Sequence, residues 1–344
     1  MKKSGLKIAI VGATGAVGRE MIEVLTTRKF PFTDLKCFAS SVSVGTELEC
    51  GGKTWSCEVL KLGCFAGVDF AFFDASDEIS REWVNEARLA GACVIDNSGT
   101  YRMDPKVALV VPEVNGYHLE SLKSNARSGS LIAGPNCTTI QLVMTLKPLH
   151  DVYGLERVIV STYQAVSGAG SAAVEELKTQ TADLLAGKKA NPVHLKHPIA
   201  FNCIPQIGSF LTGEDDGITS EEKKVILETR KILDLPALRV ACTAVRVPTA
   251  AAHAESVLCE FQRAPELEEV RKILSAFPGV EVRDVPKDGI YPMNIHSAGK
   301  DSVSVGRIRK DPTSPNGLQF WVVSDNLRKG AALNAIQIAE AILR

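Results

Sequence analysis

The sequence predicts an α/β protein in two parts: a parallel-sheet domain with helices on both faces, then an α+β domain whose sheet is mixed or antiparallel. Three observations carry this. Through residue 97, apolar runs of strand length alternate with helical patterns, a βαβ rhythm that builds a parallel sheet. Three glycines, Gly12, Gly15 and Gly18, stand where the first apolar run gives way to the first helical pattern. Near Gly134 the pattern changes to long period-two runs, which suit a sheet covered by helices on one face.

In chain order, residues 6–11 read as a buried strand, 16–28 as a helix, 35–39 and 68–73 as strands, 77–90 as a helix and 92–97 as a strand. Gly51-Gly52 marks a hairpin turn in the weaker stretch 47–62. Later strands are expected at 155–166, 238–247, 255–262, 302–309 and 318–324, covered by helices at 172–187 and 219–233. Residues 327–343 return to a helical pattern. A helix there is expected to pack back on the first domain, giving one domain of residues 1–134 plus 325–344 and another of residues 135–324.

With 344 residues, 45% of them hydrophobic, the chain buries a large core without staples. Thirty-nine basic against forty acidic residues leave a formal charge of −1, so no electrostatic case exists for nucleic acid or an anionic membrane. No apolar run approaches the roughly 20 residues that cross a bilayer. The run after Lys2 and Lys3 is broken at Gly12 and Gly15 and reads as a strand, not a signal peptide. Nine cysteines lie scattered, without Cys-x-x-Cys or paired histidines. That pattern suits reduced thiols in a cytoplasm and no metal site.

The turn Gly12-Ala-Thr14-Gly15-Ala16-Val17-Gly18 follows a strand and opens a helix. Its first glycine permits the tight turn, its second lets backbone approach a pyrophosphate, and its third lets helix and strand pack closely. Dinucleotide binding on a Rossmann-type sheet is the favoured reading. At the end of the second strand, Ser40, Ser41, Val42 and Ser43 stand with no acid before Glu47. No carboxylate is there to accept the ribose hydroxyl of NAD, so the loop leans to NADP, although no arginine is present to grip its 2′-phosphate.

Gly134-Pro-Asn136-Cys137 lies between a strand and a helix whose Leu142, Leu146 and Leu149 suggest a buried stripe. Cys137 therefore sits in a first helical turn, where free N–H groups and the positive dipole end favour a thiolate. Those amides and Asn136 suit an oxyanion formed when sulfur attacks a carbonyl carbon.

Those stretches, together with Val110-Val-Pro-Glu-Val-Asn115, Ser161-Thr-Tyr-Gln-Ala-Val-Ser-Gly168, Arg246-Val-Pro248, His253-Ala-Glu255 and Ser324-Asp-Asn-Leu-Arg-Lys-Gly330, resemble the aspartate-semialdehyde dehydrogenase family over nearly the whole chain. The resemblance implies a two-domain, glyceraldehyde-phosphate-dehydrogenase-like fold. It also implies reversible, NADPH-dependent reductive dephosphorylation of L-aspartyl 4-phosphate to L-aspartate 4-semialdehyde, feeding lysine (through diaminopimelate), threonine, methionine and isoleucine. By the same resemblance Cys137 forms a thioester and His253 is the acid–base group, an imidazole expected near its ordinary pKa. Arg246, Gln164 and Glu221 match substrate contacts, and Arg102 with Lys224 matches the phosphate-binding pair. Thr14, Gly15, Ala16, Val17, Ser167, Gly168 and Asn326 match cofactor contacts. Inorganic phosphate and a homodimer or homotetramer are implied as well. The departure is Val42, where the family usually has arginine, and reduced discrimination against NAD follows from it. The rival readings are N-acetyl-glutamyl-phosphate reductase or another phosphorylating aldehyde dehydrogenase, a cysteine acyl-hydrolase, and a Rossmann binding protein without turnover.

Overall fold

A computed structural model describes residues 5–123 and 127–344. The chain forms two compact units, Met1–Asn136 with Ala331–Arg344, and Cys137–Gly330.

The first unit contains β1 (Leu6–Val11), α1 (Ala16–Thr27), β2 (Phe32–Phe38), β3 (Glu47–Cys50), β4 (Lys53–Glu58), β5 (Phe70–Phe73), α2 (Asp77–Leu89), β6 (Cys93–Asp96), β7 (Ala108–Leu109), α3 (Pro112–Asn115) and β8 (Leu131–Ala133). Its eight strands run in the order β3-β4-β2-β1-β5-β6-β8-β7. All neighbours are parallel except β3 and β4, a hairpin closed by Gly51 and Gly52 with φ of +61° and +75°. The strand β2 starts three residues earlier than periodicity suggests, because Phe32 already pairs with Leu6.

Both faces of this sheet are buried, which is why β1 is apolar apart from the exposed Lys7 near its start. On one face Ile8, Ile10, Phe70 and Phe72 meet Met21 and Leu25 of α1 and Ile336 and Ile338 of the C-terminal helix, Leu333–Leu343. On the other, Val11, Phe38, Phe65 and Phe73 meet Val84 and Ala87 of α2. Each such side chain contributes roughly 1.5–3 kcal/mol by leaving water. The C-terminal helix is tied by Arg28, which donates to both carboxylate oxygens of Glu340 at 2.8 and 2.6 Å. Its start differs from the sequence reading, since residues Arg328–Ala332 form a π turn before the α-helix begins.

The second unit contains α4 (Cys137–Tyr153), β9 (Leu155–Gln164), α5 (Ser171–Leu185), α6 (Ser220–Ile232), β10 (Arg239–Arg246), β11 (His253–Phe261), α7 (Leu267–Ala276), β12 (Val280–Val282), α8 (Asn294–Ser297), β13 (Val303–Lys310) and β14 (Gly317–Ser324). Its six strands run β10-β9-β11-β14-β13-β12. The two outer pairs are parallel and the three inner ones antiparallel, a mixed sheet. Helices α4, α6 and α7 pack on it, whereas α5, expected to cover the sheet, packs mainly on the 3₁₀ turn Val166–Ala169. A capping box starts α6, with Thr219 and Glu222 each bonding the other's backbone N–H.

Two expectations need correction. The helix α4 carries no apolar stripe: twelve of its seventeen residues are buried around its whole circumference, so it runs through the core, not along its surface. The strand β11 starts at His253, not Glu255, because His253 already pairs with Ser324. Among the described residues no helix is long and apolar enough to cross a membrane.

Candidate active site

In the first unit a cleft of about 430 Å³ opens at the carboxyl ends of β1, β2 and β5. The winding reverses there, since β2 and β5 flank β1 on opposite sides, and ligands of open α/β sheets bind at such points. Gly12, Thr14, Gly15, Ser40 and Ser41 line it. Gly12 has φ +91°, and a Cβ there would stand 2.0 Å from the Asp74 carbonyl oxygen. A Cβ on Gly18 would meet Gly12 O at 2.2 Å, which fixes the close approach of α1 to β1. Gly15 N-caps α1 with no side-chain cap, so the positive helix end stays available to an anion. Ala16 and Val17 open α1 behind the turn. Val42 is 93% exposed, and Ser43 lies beside it in the same 3₁₀ turn.

Leu60, Ile79 and Trp83 add an apolar wall that sequence reasoning missed. For Ile79 and Trp83 the only local signal is the amphipathic pattern of α2, which reads equally as core, and Leu60, beyond β4, carries none. Wall, glycine turn and uncapped helix together fit a dinucleotide: a flat base, a pyrophosphate and a ribose.

Arg102 belongs to this unit too. It is buried, and it donates to Asn97 O at 2.6 Å. Its positive charge favours ionisation of Asp74 and Asp96. Burial nonetheless pushes Asp74 up to about 6, against the Asn97 hydrogen bond, and raises Asp96.

In the second unit Cys137 is the first residue of α4 and is half-buried; Asn136, just before it, is buried. A Cβ on Gly330 would come 2.9 Å from that of Cys137, so only glycine lets this segment lie against the cysteine. Gln164 and Arg246 are register partners at the ends of β9 and β10. Gln164 Nε2 donates to Glu221 Oε1 at 3.1 Å, and Lys224 Nζ stands 3.5 Å from Glu221 Oε2. Burial lowers the pKa of Arg246, while the Cys137 thiolate and the Glu221 carboxylate favour its charged form.

The backbone of Ala165 organises the site, and nothing in the sequence singles it out. Its carbonyl accepts from Arg246 Nη1 at 2.7 Å and its N–H donates to His253 Nδ1 at 3.0 Å. The two peptide groups that meet at one Cα thus set the cation and the imidazole. Gly168 lies against the pair: a Cβ there would meet Arg246 Nη1 at 3.0 Å and His253 Nε2 at 3.3 Å. Ser167 Oγ donates to Asn326 Oδ1 at 3.1 Å.

His253 departs from the expectation of an ordinary pKa. Burial, with the Arg246 charge beside it, pushes its pKa down to about 3. Because Nδ1 accepts from Ala165, the neutral ring carries its proton on Nε2, which is buried with no hydrogen-bond partner among the described residues. The imidazole is therefore a neutral donor aimed at the site. Glu255, two residues along β11, is also fully buried, and burial raises its pKa well above the carboxylate range.

A parallel-sheet nucleotide unit joined to a mixed-sheet unit that presents a cysteine, an arginine and a neutral histidine defines the class of two-domain nicotinamide-linked dehydrogenases. Comparison with known proteins gives the family. Residues 7–122 match the semialdehyde dehydrogenase NAD binding domain, and residues 146–329 match the semialdehyde dehydrogenase dimerisation domain. The chain belongs to the aspartate-semialdehyde dehydrogenase family. The enzyme of that name from Aquifex aeolicus (strain VF5) is 47% identical over 342 residues, covering 99% of this chain and 98% of the relative. The crystal structure of aspartate semialdehyde dehydrogenase II from Vibrio cholerae, complexed with ASA, superposes with a TM-score of 0.93 at 42% identity, covering 99% of this chain and 98% of that one. A Candida albicans aspartate semialdehyde dehydrogenase with NADP is 25% identical at a TM-score of 0.77, covering 98% of each chain.

Proposed function

We propose that the protein catalyses reversible, NADPH-dependent reduction of L-aspartyl 4-phosphate to L-aspartate 4-semialdehyde and phosphate. The observation that carries this reading is that the Ala165 backbone N–H and C=O hold His253 and Arg246 together, with the Arg246 charge favoured by Cys137. The Cys137 sulfur attacks the acyl carbon: the C–S bond forms, the C–O bond breaks, and phosphate leaves carrying the thiol proton. Asn136 and the first amides of α4 hold the oxyanion. A nicotinamide dinucleotide held at the glycine turn would supply the hydride that reduces the thioester carbon. His253 hydrogen-bonds the resulting oxyanion from Nε2 and keeps its proton. The oxyanion re-forms the carbonyl as the C–S bond breaks, so aldehyde leaves and Cys137 returns as thiolate, which regains a proton from solvent.

Arg246, Gln164 and Glu221 hold the amino acid, Arg246 by its carboxylate; Arg102 and Lys224 hold the phosphate. Thr14, Gly15, Ala16, Val17, Ser40, Ser43, Ser167, Gly168 and Asn326 hold the cofactor. NADP is preferred because no carboxylate ends β2. The margin over NAD is narrow because Val42 offers no cation: the ratio of kcat/KM stays below roughly 10³. The reaction serves the lysine, threonine, methionine and isoleucine pathways. The enzyme works as a homo-oligomer, built through the region that matches the dimerisation domain, and in the cytoplasm. Nicotinamide absorbance followed with aspartate semialdehyde, phosphate and each dinucleotide tests the reading. Turnover with N-acetyl-glutamate semialdehyde and none with aspartate semialdehyde would overturn it.

A further inference from the structure

Ala252 immediately precedes His253 and has a left-handed backbone, φ +65°, although it carries a Cβ. That conformation is strained for an alanine and persists only where neighbours enforce it. Ala252 is fully buried, so its N–H and C=O need protein partners. Both partners are asparagine side chains from distant parts of the chain. The Ala252 N–H donates to Asn326 Oδ1 at 3.1 Å, and Asn294 Nδ2, at the start of α8, donates to the Ala252 carbonyl at 2.7 Å. Downstream, β11 pairs His253 with Ser324. The turn at Ala252 therefore decides the angle at which the chain delivers His253 to the Ala165 N–H.

We propose that Asn294 is a positioning residue: with Asn326 it clamps the Ala252 peptide in its left-handed turn and so sets the imidazole of His253. Asn294 is only half-buried on a four-residue helix, so its truncation opens no core cavity and the effect is kinetic. The inference rests on the role given to His253 under the proposed function.

A double-mutant comparison tests it. Asn294→Ala is expected to lower kcat roughly 10- to 100-fold with KM within about threefold, because the donor is misplaced and not removed. Asn294→Asp, which keeps the size but loses the amide donor, should match it. Alkylation of Cys137 by iodoacetamide should stay at the wild-type rate, reporting an intact fold and nucleophile. Glycine adopts positive φ freely. Adding Asn294→Ala to Ala252→Gly should therefore lower kcat by no more than about threefold relative to Ala252→Gly alone. Unchanged kcat in Asn294→Ala, or an equal loss in both backgrounds, overturns the proposal. His253→Gln separates the two readings: if it leaves turnover intact, the role of His253 fails. If it abolishes turnover while Asn294→Ala leaves kcat unchanged, only the clamp fails.

Discussion

The cleft of the first unit takes its turn from one continuous stretch, residues 11–18, shaped by what glycine permits. Gly12 and Gly18 are fixed by backbone oxygens 2.0 and 2.2 Å from where a Cβ would stand. The second unit assembles its chemistry from five elements. Cys137 comes from α4, Gln164 from β9, Glu221 and Lys224 from α6, Arg246 from β10 and His253 from β11, and the Ala165 backbone ties two of them together. A nucleotide subsite can be built locally because it needs amides and a helix end. A reaction centre needs charges and protons placed against one another, which only tertiary structure supplies.

Cys137→Ala is expected to have the largest effect. Turnover should fall roughly 10⁴-fold or more, while the NADP⁺ dissociation constant measured by calorimetry keeps its wild-type value; parallel loss of both would show that the two functions are not separable. Arg246→Lys comes next. It keeps the charge but loses the planar fork that holds Ala165 O and, in the proposed reaction, the substrate carboxylate, so KM for aspartate semialdehyde should rise about 10- to 100-fold. Gly12→Ala tests the local side: strain at φ +91° and the clash with Asp74 O should cost about 2–4 kcal/mol in urea unfolding. Val42→Arg should raise the NADP-over-NAD ratio of kcat/KM roughly tenfold by supplying a charge-assisted hydrogen bond.

Glu255→Gln is the smallest in activity and the sharpest in pH dependence. The folded pKa of Glu255 is raised, so the native state binds more protons than the unfolded chain once pH exceeds the ordinary carboxylate value, and stability falls as pH rises toward the folded pKa. Glutamine removes that loss, so the variant should gain on wild type in denaturant midpoint as pH is raised from about 5 to 8. His253 works in the opposite sense. Its pKa, lowered to about 3, means that stability is present above the ordinary imidazole pKa and drains away as pH falls toward 3.

Legibility in the sequence divides along the same line. The strand–glycine–helix start of the first unit lies in contiguous residues, where spacing is structure. The long strands of the second unit were visible as alternation, because one face of each is covered. The circumference of α4 was misread: Thr138, Gln141 and Thr145 are buried polar residues that break the apolar pattern without being solvent-facing. Helix α7 carries little signal: its ten residues follow the N-cap Glu266, which makes no side-chain cap, and bury only Val270 and Leu274. Ala165, Ala252 and Asn294 are unremarkable residue types, and what distinguishes them is a partner 42 to 88 positions away. The low pKa of His253 likewise depends on burial and on Arg246, neither of which its alanine-rich surroundings announce.

Residues 331–344 complete the first unit, whereas the second is a single uninterrupted stretch. On a ribosome that makes the chain from its amino end, the unit begun first is therefore finished last. Ile8, Ile10, Phe70 and Phe72 wait for Ile336 and Ile338 to cover them, and the second unit can close while that apolar face is still bare. A nascent chain stalled before residue 331 would leave this surface open to chaperones.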